Sequence, residues 1–155
     1  MSNNHADDYT FVFDTYDVTG DTLSFTYHYE DSQASNLGAF TERYILPPDV
    51  TIDEQDPTTA YILQITHLIV GVSYYKSLRG GVRTPRPLSH SEADYLNTIY
   101  QEGLGEYAYV NRLPHPIQPF VAADNTAARP PINLQHSGAL VGVGGGKDSA
   151  VALEL

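Results

Sequence analysis

The stretch Ala139 to Ser149, ALVGVGGGKDS, constrains this chain more than any other. A short apolar run (Ala139, Leu140, Val141 and Val143) leads into three consecutive glycines, then Lys147, Asp148 and Ser149. Ala-Val-Ala-Leu-Glu-Leu follows and reads as the start of a helix. The order is strand, glycine-rich turn, helix start. Glycine permits positive φ and lets a ligand approach the backbone amides closely. The first turn of a helix has unpaired N–H groups and the positive end of the helix dipole. Together they form an anion site suited to phosphate. Lys147 adds a full charge and Ser149 a hydroxyl donor. The competing reading is an ordinary strand-to-helix turn, and three glycines followed by K-D-S stand against it.

Two common phosphate loops do not fit. A Walker A loop needs a glycine five residues before the glycine of its Gly-Lys pair and Ser or Thr directly after the lysine; Val141 and Asp148 occupy those places. A G-x-G-x-x-G fingerprint counted from Gly142 needs a third glycine where Lys147 stands. The six residues GGGKDS (Gly144 to Ser149) instead resemble the PP-loop of the ATP pyrophosphatases, usually S-G-G-x-D-S, with Gly144 in place of the first serine. In that family the loop holds the outer phosphates of ATP, and pyrophosphate is released to leave an adenylated substrate.

At 155 residues the length allows one domain with a core of useful size. The first eight residues are polar and acidic with no apolar h-region, so no signal peptide is expected. The longest apolar stretch, Tyr61 to Tyr75, is interrupted by Gln64, Thr66 and His67 and is too short for a membrane span. No cysteine is present, which excludes disulfides and thiolate metal sites and fits a cytoplasmic location. Residues 1–56 hold twelve acidic residues and one basic residue, Arg43, a balance of −11; the rest sums to zero. Such a region repels nucleic-acid backbones, so nucleic-acid binding by it is rejected, and a solvated acidic face is the reading adopted.

Residues 9–46 read as strands. Leu23, Phe25, Tyr27 and Tyr29 alternate with Ser24, Thr26 and His28, the period of a half-buried strand. Phe11, Phe13 and Tyr16 precede it across a turn at Thr19-Gly20-Asp21; Asp31 to Gly38 turns again into Phe40 to Leu46, where Pro47-Pro48 stop the run. The expectation is an antiparallel meander with its aromatic face in the core. An acidic loop, 49–57, follows. Thr58 or Thr59 then caps a helix from Ala60 to about Gly71, with Tyr61, Ile62, Ile65, Leu68 and Ile69 on one stripe and Leu63 and Val70 opposite, so that burial nearly all round is expected.

Lys76, Arg79, Arg83 and Arg86 then place four cations in eleven residues around Gly80-Gly81. They are either a clamp for an anionic substrate or a solvated basic loop balancing the acidic third, and the sequence leaves both open. Ser89 to Gly103 is the best helix: Ser89 and Glu92 form an S-x-x-E capping box, and Tyr95, Leu96, Ile99 and Tyr100 form one apolar stripe. Gly103 or Gly105 is expected to end it, and Glu106 to Leu113 reads as a further short element. Residues 114–138, with Pro114, Pro116, Pro119, Pro130 and Pro131, read as a linker on the surface leading to a second domain. The six histidines show no ligand spacing, and no G-x-S-x-G elbow is present.

Three segments narrow the resemblance: THLIVGVSYYK (Thr66 to Lys76), EGLGEYAYVNRL (Glu102 to Leu113) and GVGGGKDS (Gly142 to Ser149). In this order they are similar to the UDP-N-acetylmuramoyl-L-alanyl-L-glutamate epimerase family, MurL, from about residue 9 onward. That resemblance implies an ATP- and Mg²⁺-dependent isomerase of peptidoglycan synthesis, turning the terminal L-glutamate of UDP-MurNAc-L-Ala-L-Glu into D-glutamate through an acyl-adenylate. It implies that Gly144, Gly145, Gly146 and Ser149 present donors to the ATP phosphates and that Lys147 neutralises charge on the leaving pyrophosphate, while Asp148 orients the loop or approaches Mg²⁺. Lys76, Arg79 and Arg83 are the candidates for the UDP or glutamate end of the substrate. The proton-transfer residues and the oligomeric state are not legible.

The fold class expected is therefore an α+β N-terminal domain, 1–113, a proline-rich linker, 114–138, and the first strand and helix start of an α/β PP-loop domain, 139–155. The chain is expected to be the N-terminal part of a longer enzyme and inactive alone. Another PP-loop adenylating enzyme, or a non-catalytic nucleotide-binding fragment, remain as alternatives.

Overall fold

The computed structural model describes residues 9–76, 80–113 and 116–123. The loop Gly142 to Ser149, Arg79 and most of the expected linker lie outside the described residues. Three strands follow one another as an antiparallel meander: β1 (Thr10–Thr19), β2 (Thr22–Glu30) and β3 (Asn36–Ile45). A short strand, β4 (Gly81–Arg83), joins β1 in parallel, so the sheet is mixed, with order β3-β2-β1-β4. The meander is as the sequence indicates. The parallel fourth strand was not anticipated, because three residues are too few to show a period.

Alternation places Leu23, Phe25 and Tyr27 of β2 in the core beside Phe11 and Phe13 of β1. Fully burying a side chain of this kind is worth about 1.5–3 kcal/mol. Phe11 stacks on Tyr27 at 5.7 Å between ring centroids and meets Phe13 edge-on at 5.0 Å. The opposite sheet face carries Asp14, Ser24, Thr26, His28 and Thr41. Two helices cover the aromatic face, giving a two-layer α+β arrangement.

The first helix, α1 (Pro57–Val70), starts earlier than the sequence reading placed it. Its cap is Asp56, not Thr58 or Thr59: the Asp56 carboxylate accepts from the Thr59 N–H at 2.7 Å, and Pro57 opens the helix. The expected stripe is also rotated. Leu63, His67 and Leu68 are buried, whereas Ile62 is 48 % exposed. Burial all round is therefore corrected to burial of one face. The carbonyls of the last turn are held by distant side chains: Tyr27 donates to the His67 carbonyl at 3.0 Å and Tyr100 to that of Leu68 at 2.8 Å.

The second helix, α2 (His90–Asn111), is capped as expected by the reciprocal Ser89–Glu92 box. It does not stop at Gly103 or Gly105, and it absorbs most of the short element read from Glu106 onward. Packing outweighs glycine's propensity here, because Leu104 and Ala108 continue the buried line of Leu96 and Tyr100. The helix ends at Arg112, a non-glycine residue in the left-handed region (φ 53°). Tyr95, expected in the apolar stripe, is exposed. Ile117 and Phe120, within the stretch read as a surface linker, are buried in the core. Asn97 of α2 fixes Phe120 from both sides, donating to its carbonyl at 2.9 Å and accepting from its N–H at 3.0 Å. Among the described residues no helix is long and apolar enough to cross a membrane.

Gly71 follows α1 and turns the chain beneath the sheet. A Cβ there would lie 2.4 Å from Phe13 and 2.8 Å from the Tyr100 hydroxyl. Gly71→Ala should therefore destabilise the fold by about 1–3 kcal/mol, seen as a lower urea midpoint at unchanged m-value; a midpoint equal to wild type contradicts this packing.

Candidate functional site

Four charged side chains converge on the outer sheet face. The pairing of β1 with β2 slips between Phe13 and Thr15, so Asp14 is the extra residue of a β-bulge. Its carboxylate reaches His28 Nδ1 at 2.7 Å, and Glu30 reaches Nε2 of the same ring at 2.9 Å. Arg83 of β4 pairs with the other oxygen of Glu30. Both ring nitrogens of His28 face carboxylate acceptors, so both must carry hydrogen and the ring is an imidazolium. Burial alone would push its pKa down; the bonds to Asp14 and Glu30 outweigh burial and raise it above 6.5. The Glu30 carboxyl is correspondingly lowered, first by His28 and then by Arg83.

A second cluster ties the segment after β4 to α2. Arg86 grips Glu92 with two nitrogens, at 2.7 and 3.1 Å, donates through Nε to Gln64 Oε1 at 2.8 Å, and lies over the Tyr61 ring. Burial would push the Glu92 carboxyl up, but Arg86 and the N–H and hydroxyl of Ser89 hold it down at about 2. Between the clusters lies a cavity of about 150 Å³, lined by Asp14, Thr15, Tyr16, Gln64, His67, Leu68, Pro85 and Arg86. The His67 ring is clasped by Phe13, Phe25 and Tyr27. Burial lowers its pKa, against the opposing effects of the Thr26 carbonyl and Asp14.

Of the cations named from sequence, Lys76 is exposed and sits over the Tyr107 ring of α2 at 4.8 Å, and Arg83 is held at Glu30 on β2. The two engage different partners on different elements. Arg79 lies outside the described residues, as do Gly144, Gly145, Gly146, Lys147, Asp148 and Ser149. Among the described residues no group of three His, Asp or Glu side chains could hold a metal ion. Sequence reasoning missed Asp14, His28 and His67. His28 and Glu30 do stand two apart on one strand face, which signalled their proximity; the bulge that delivers Asp14 leaves no such trace.

A raised folded pKa means that His28 contributes stability that is complete below pH 6.5 and is lost as pH rises through the folded value. The denaturant midpoint should therefore fall as pH rises above 6.5, and His28→Gln should flatten that fall. His67, with a lowered pKa, acts in the opposite sense and only as pH drops below 6.5, so the two are separable; an unchanged slope in His28→Gln contradicts the imidazolium assignment. Arg86→Ala strands the Glu92 carboxylate, a loss of about 3 kcal/mol by chemical denaturation.

The comparisons with known proteins bear on the whole chain. Residues 1–155 match the MurL N-terminal domain. A Salinispora tropica protein named UDP-N-acetyl-alpha-D-muramoyl-L-alanyl-L-glutamate epimerase is 35 % identical over 154 residues, 96 % of this chain and 33 % of that protein. A Micromonospora protein of the same name is 32 % identical over 149 residues, covering 93 % and 33 %. One from Xanthomonas oryzae is 41 % identical over 96 residues, covering 59 % and 21 %. No solved structure matches. The chain thus spans about a third of the length of the first two of these relatives. With its whole length matched, the chain belongs to the MurL N-terminal domain family.

Proposed function

We propose that this chain serves an ATP-dependent epimerase of peptidoglycan precursor synthesis, acting on the terminal L-glutamate of UDP-MurNAc-L-Ala-L-Glu. The observation that carries the reading is the match of residues 1–155 to the family, with relatives whose printed name is that of the epimerase. The α-proton beside an ionised carboxylate is very weakly acidic, because its removal places negative charge on negative charge. Activation of that carboxylate by ATP, as an acyl-adenylate, removes this obstacle; each 1.36 kcal/mol taken from the barrier is about tenfold in rate. A base and an acid then exchange the α-proton across the plane.

The donor set Gly144, Gly145, Gly146, Lys147 and Ser149 has the chemistry for a triphosphate: backbone amides, a hydroxyl and a full positive charge, with no carboxylate before Asp148. In this reading Lys147 stabilises the departing pyrophosphate, and Asp148 orients the loop or approaches Mg²⁺. Arg83 and Lys76, with Arg79, are the contacts proposed for the anionic substrate. Arg86 is excluded from that role because Glu92 and Gln64 already take its guanidinium.

The test uses the protein at full family length, with the muramoyl dipeptide, ATP and Mg²⁺, following AMP release and exchange of the glutamate α-proton in heavy water. Lys147→Ala should reduce substrate-dependent AMP release by about 10²–10³-fold, the scale of losing one charge-stabilising donor, with the thermal unfolding of the domain unchanged. Full turnover in that variant would sink the assignment.

A further inference from the structure

The outer side of the helical layer carries a groove of about 290 Å³ that the epimerase reading leaves without a role. It runs between the middle of α1 and the first two turns of α2. Its wall is Tyr61, Ile62, Ile65 and Thr66 of α1 with Ser91, Glu92 and Tyr95 of α2. Ile62 is 48 % exposed and Tyr95 53 %, so large apolar side chains face solvent there. The wall presents no unbalanced charge. Its one carboxylate, Glu92, is gripped by Arg86, whose guanidinium also lies over the Tyr61 ring. The other polar groups are four hydroxyls, on Tyr61, Thr66, Ser91 and Tyr95, each able to donate or accept. With no cation in its wall, the groove does not suit a phosphate or a carboxylate. Aromatic and aliphatic side chains with charge depleted are the composition at the centre of a protein–protein contact.

Size and chain path select the occupant. Half of a large side chain is on the order of 100 Å². Ile62 and Tyr95 together then offer roughly 200 Å², against roughly 800 Å² per partner in a stable association of free proteins. The groove alone is too small to hold a second copy or an independent protein. A partner on the same polypeptide meets it at an effective concentration on the order of millimolar, and a small contact then suffices. The path of the chain supplies such a partner. Ala122 pairs with Leu88 in parallel, and the Ala123 N–H donates to the Leu88 carbonyl at 2.9 Å. Leu88 stands three residues before Ser91 of the groove wall, so the chain after Ala123 starts beside the groove. Residues 124–138 span roughly 50 Å at full extension, which reaches any part of it. The matched part is 33 % of each of the first two relatives, leaving about two thirds of their length outside it. We propose that the groove between α1 and α2 is the seat of the polypeptide that follows residue 138, docking this domain onto the remainder of its own enzyme. This goes beyond the epimerase reading, since it rests on family membership and chain path and on no step of the reaction.

Photocrosslinking in the protein at full family length makes the test. The photoreactive amino acid p-benzoyl-phenylalanine replaces Ile62 or Ser91 in the groove, or Arg43 on β3 as a control; all three positions are exposed. After irradiation, single chains are separated from crosslinked dimers on a denaturing gel, and linked peptides are identified by mass. Positions 62 and 91 should link, within one chain, to residues beyond 138, and position 43 should not. Tyr95→Glu, at an exposed position of the same wall, should lower the yield at least about tenfold, because docking would then carry an unpaired carboxylate into an apolar contact. No links, links to a second chain, links confined to residues 124–138, equal links from position 43, or an unchanged yield in Tyr95→Glu each overturn the seat. None of these outcomes depends on AMP release, so failure here leaves the epimerase reading standing, and failure of that assay leaves the seat standing.

Discussion

The contact between His67 and the Thr26 carbonyl determines how the two layers meet. The bulge at Asp14 breaks the β1–β2 ladder beside Thr26, inside a sheet whose inner face is apolar and mostly aromatic. His67 supplies a donor to the Thr26 carbonyl, and in doing so sets the rotation of α1. With position 67 turned to the sheet, Leu63, one turn earlier, must also face inward, and Ile62 must face out. The end of α1 is then carried under Tyr27 and Tyr100, whose hydroxyls reach its last carbonyls. That brings the backbone so close to Phe13 that only glycine fits at position 71. One irregularity in a strand thus decides the face of a helix, the end of that helix and the residue that follows it.

This chain of dependence explains which parts of the fold were legible. β2 could be read because alternation of Leu23, Phe25 and Tyr27 is a local property, and the Ser89–Glu92 box because its partners are three residues apart. The stripe of α1 was misread because apolarity alone ranks Ile62 above a histidine, and the reason to bury His67 lies on a strand 41 positions away. The cap at Asp56 was legible in principle, since Asp-Pro before an apolar run is a helix start. Gly103 and Gly105 misled because their tolerance depends on tertiary packing of Leu104 and Ala108. Phe120 was lost among prolines, and its anchor, Asn97, is 23 positions distant. Of the candidate site, the sequence reading put His28 on the polar face of the strand without pairing it with Glu30, and the bulge that adds Asp14 leaves no local trace.

The acidic N-terminal third has a more specific use than a solvated face. Many of its carboxylates close turns or caps. Asp31 accepts from the N–H groups of Gln33 and Ser35, Asp53 from that of Gln55, and Asp56 from that of Thr59. Asp14 and Glu30 serve the His28 cluster. Local hydrogen bonds of this kind favour the ionised form, and Asp31 and Asp56 are held below the usual carboxylate range by them. The charge excess is therefore largely the cost of a compact meander with tight loops, which accounts for its confinement to this part of the chain.

The basic segment divides along the same line of burial. Removing Arg86 from Glu92 would take the cation from a buried carboxylate, so its charge is committed to holding the segment after β4 against α2. Arg83 differs in two respects. Its side chain is 54 % exposed, and its partner Glu30 also receives a hydrogen bond from His28. An anion that draws Arg83 away would leave Glu30 its hydrogen bond from His28, with the one imidazolium then facing the two carboxylates Asp14 and Glu30. Lys76, exposed over Tyr107, pairs with no carboxylate among the described residues. Of the described cations between positions 76 and 86, Arg86 is thus the one committed to a buried carboxylate, and Arg83 and Lys76 are held at more exposed positions. The charge on His28 lowers the cost of drawing Arg83 away, because a protonated ring keeps a donor on both Asp14 and Glu30.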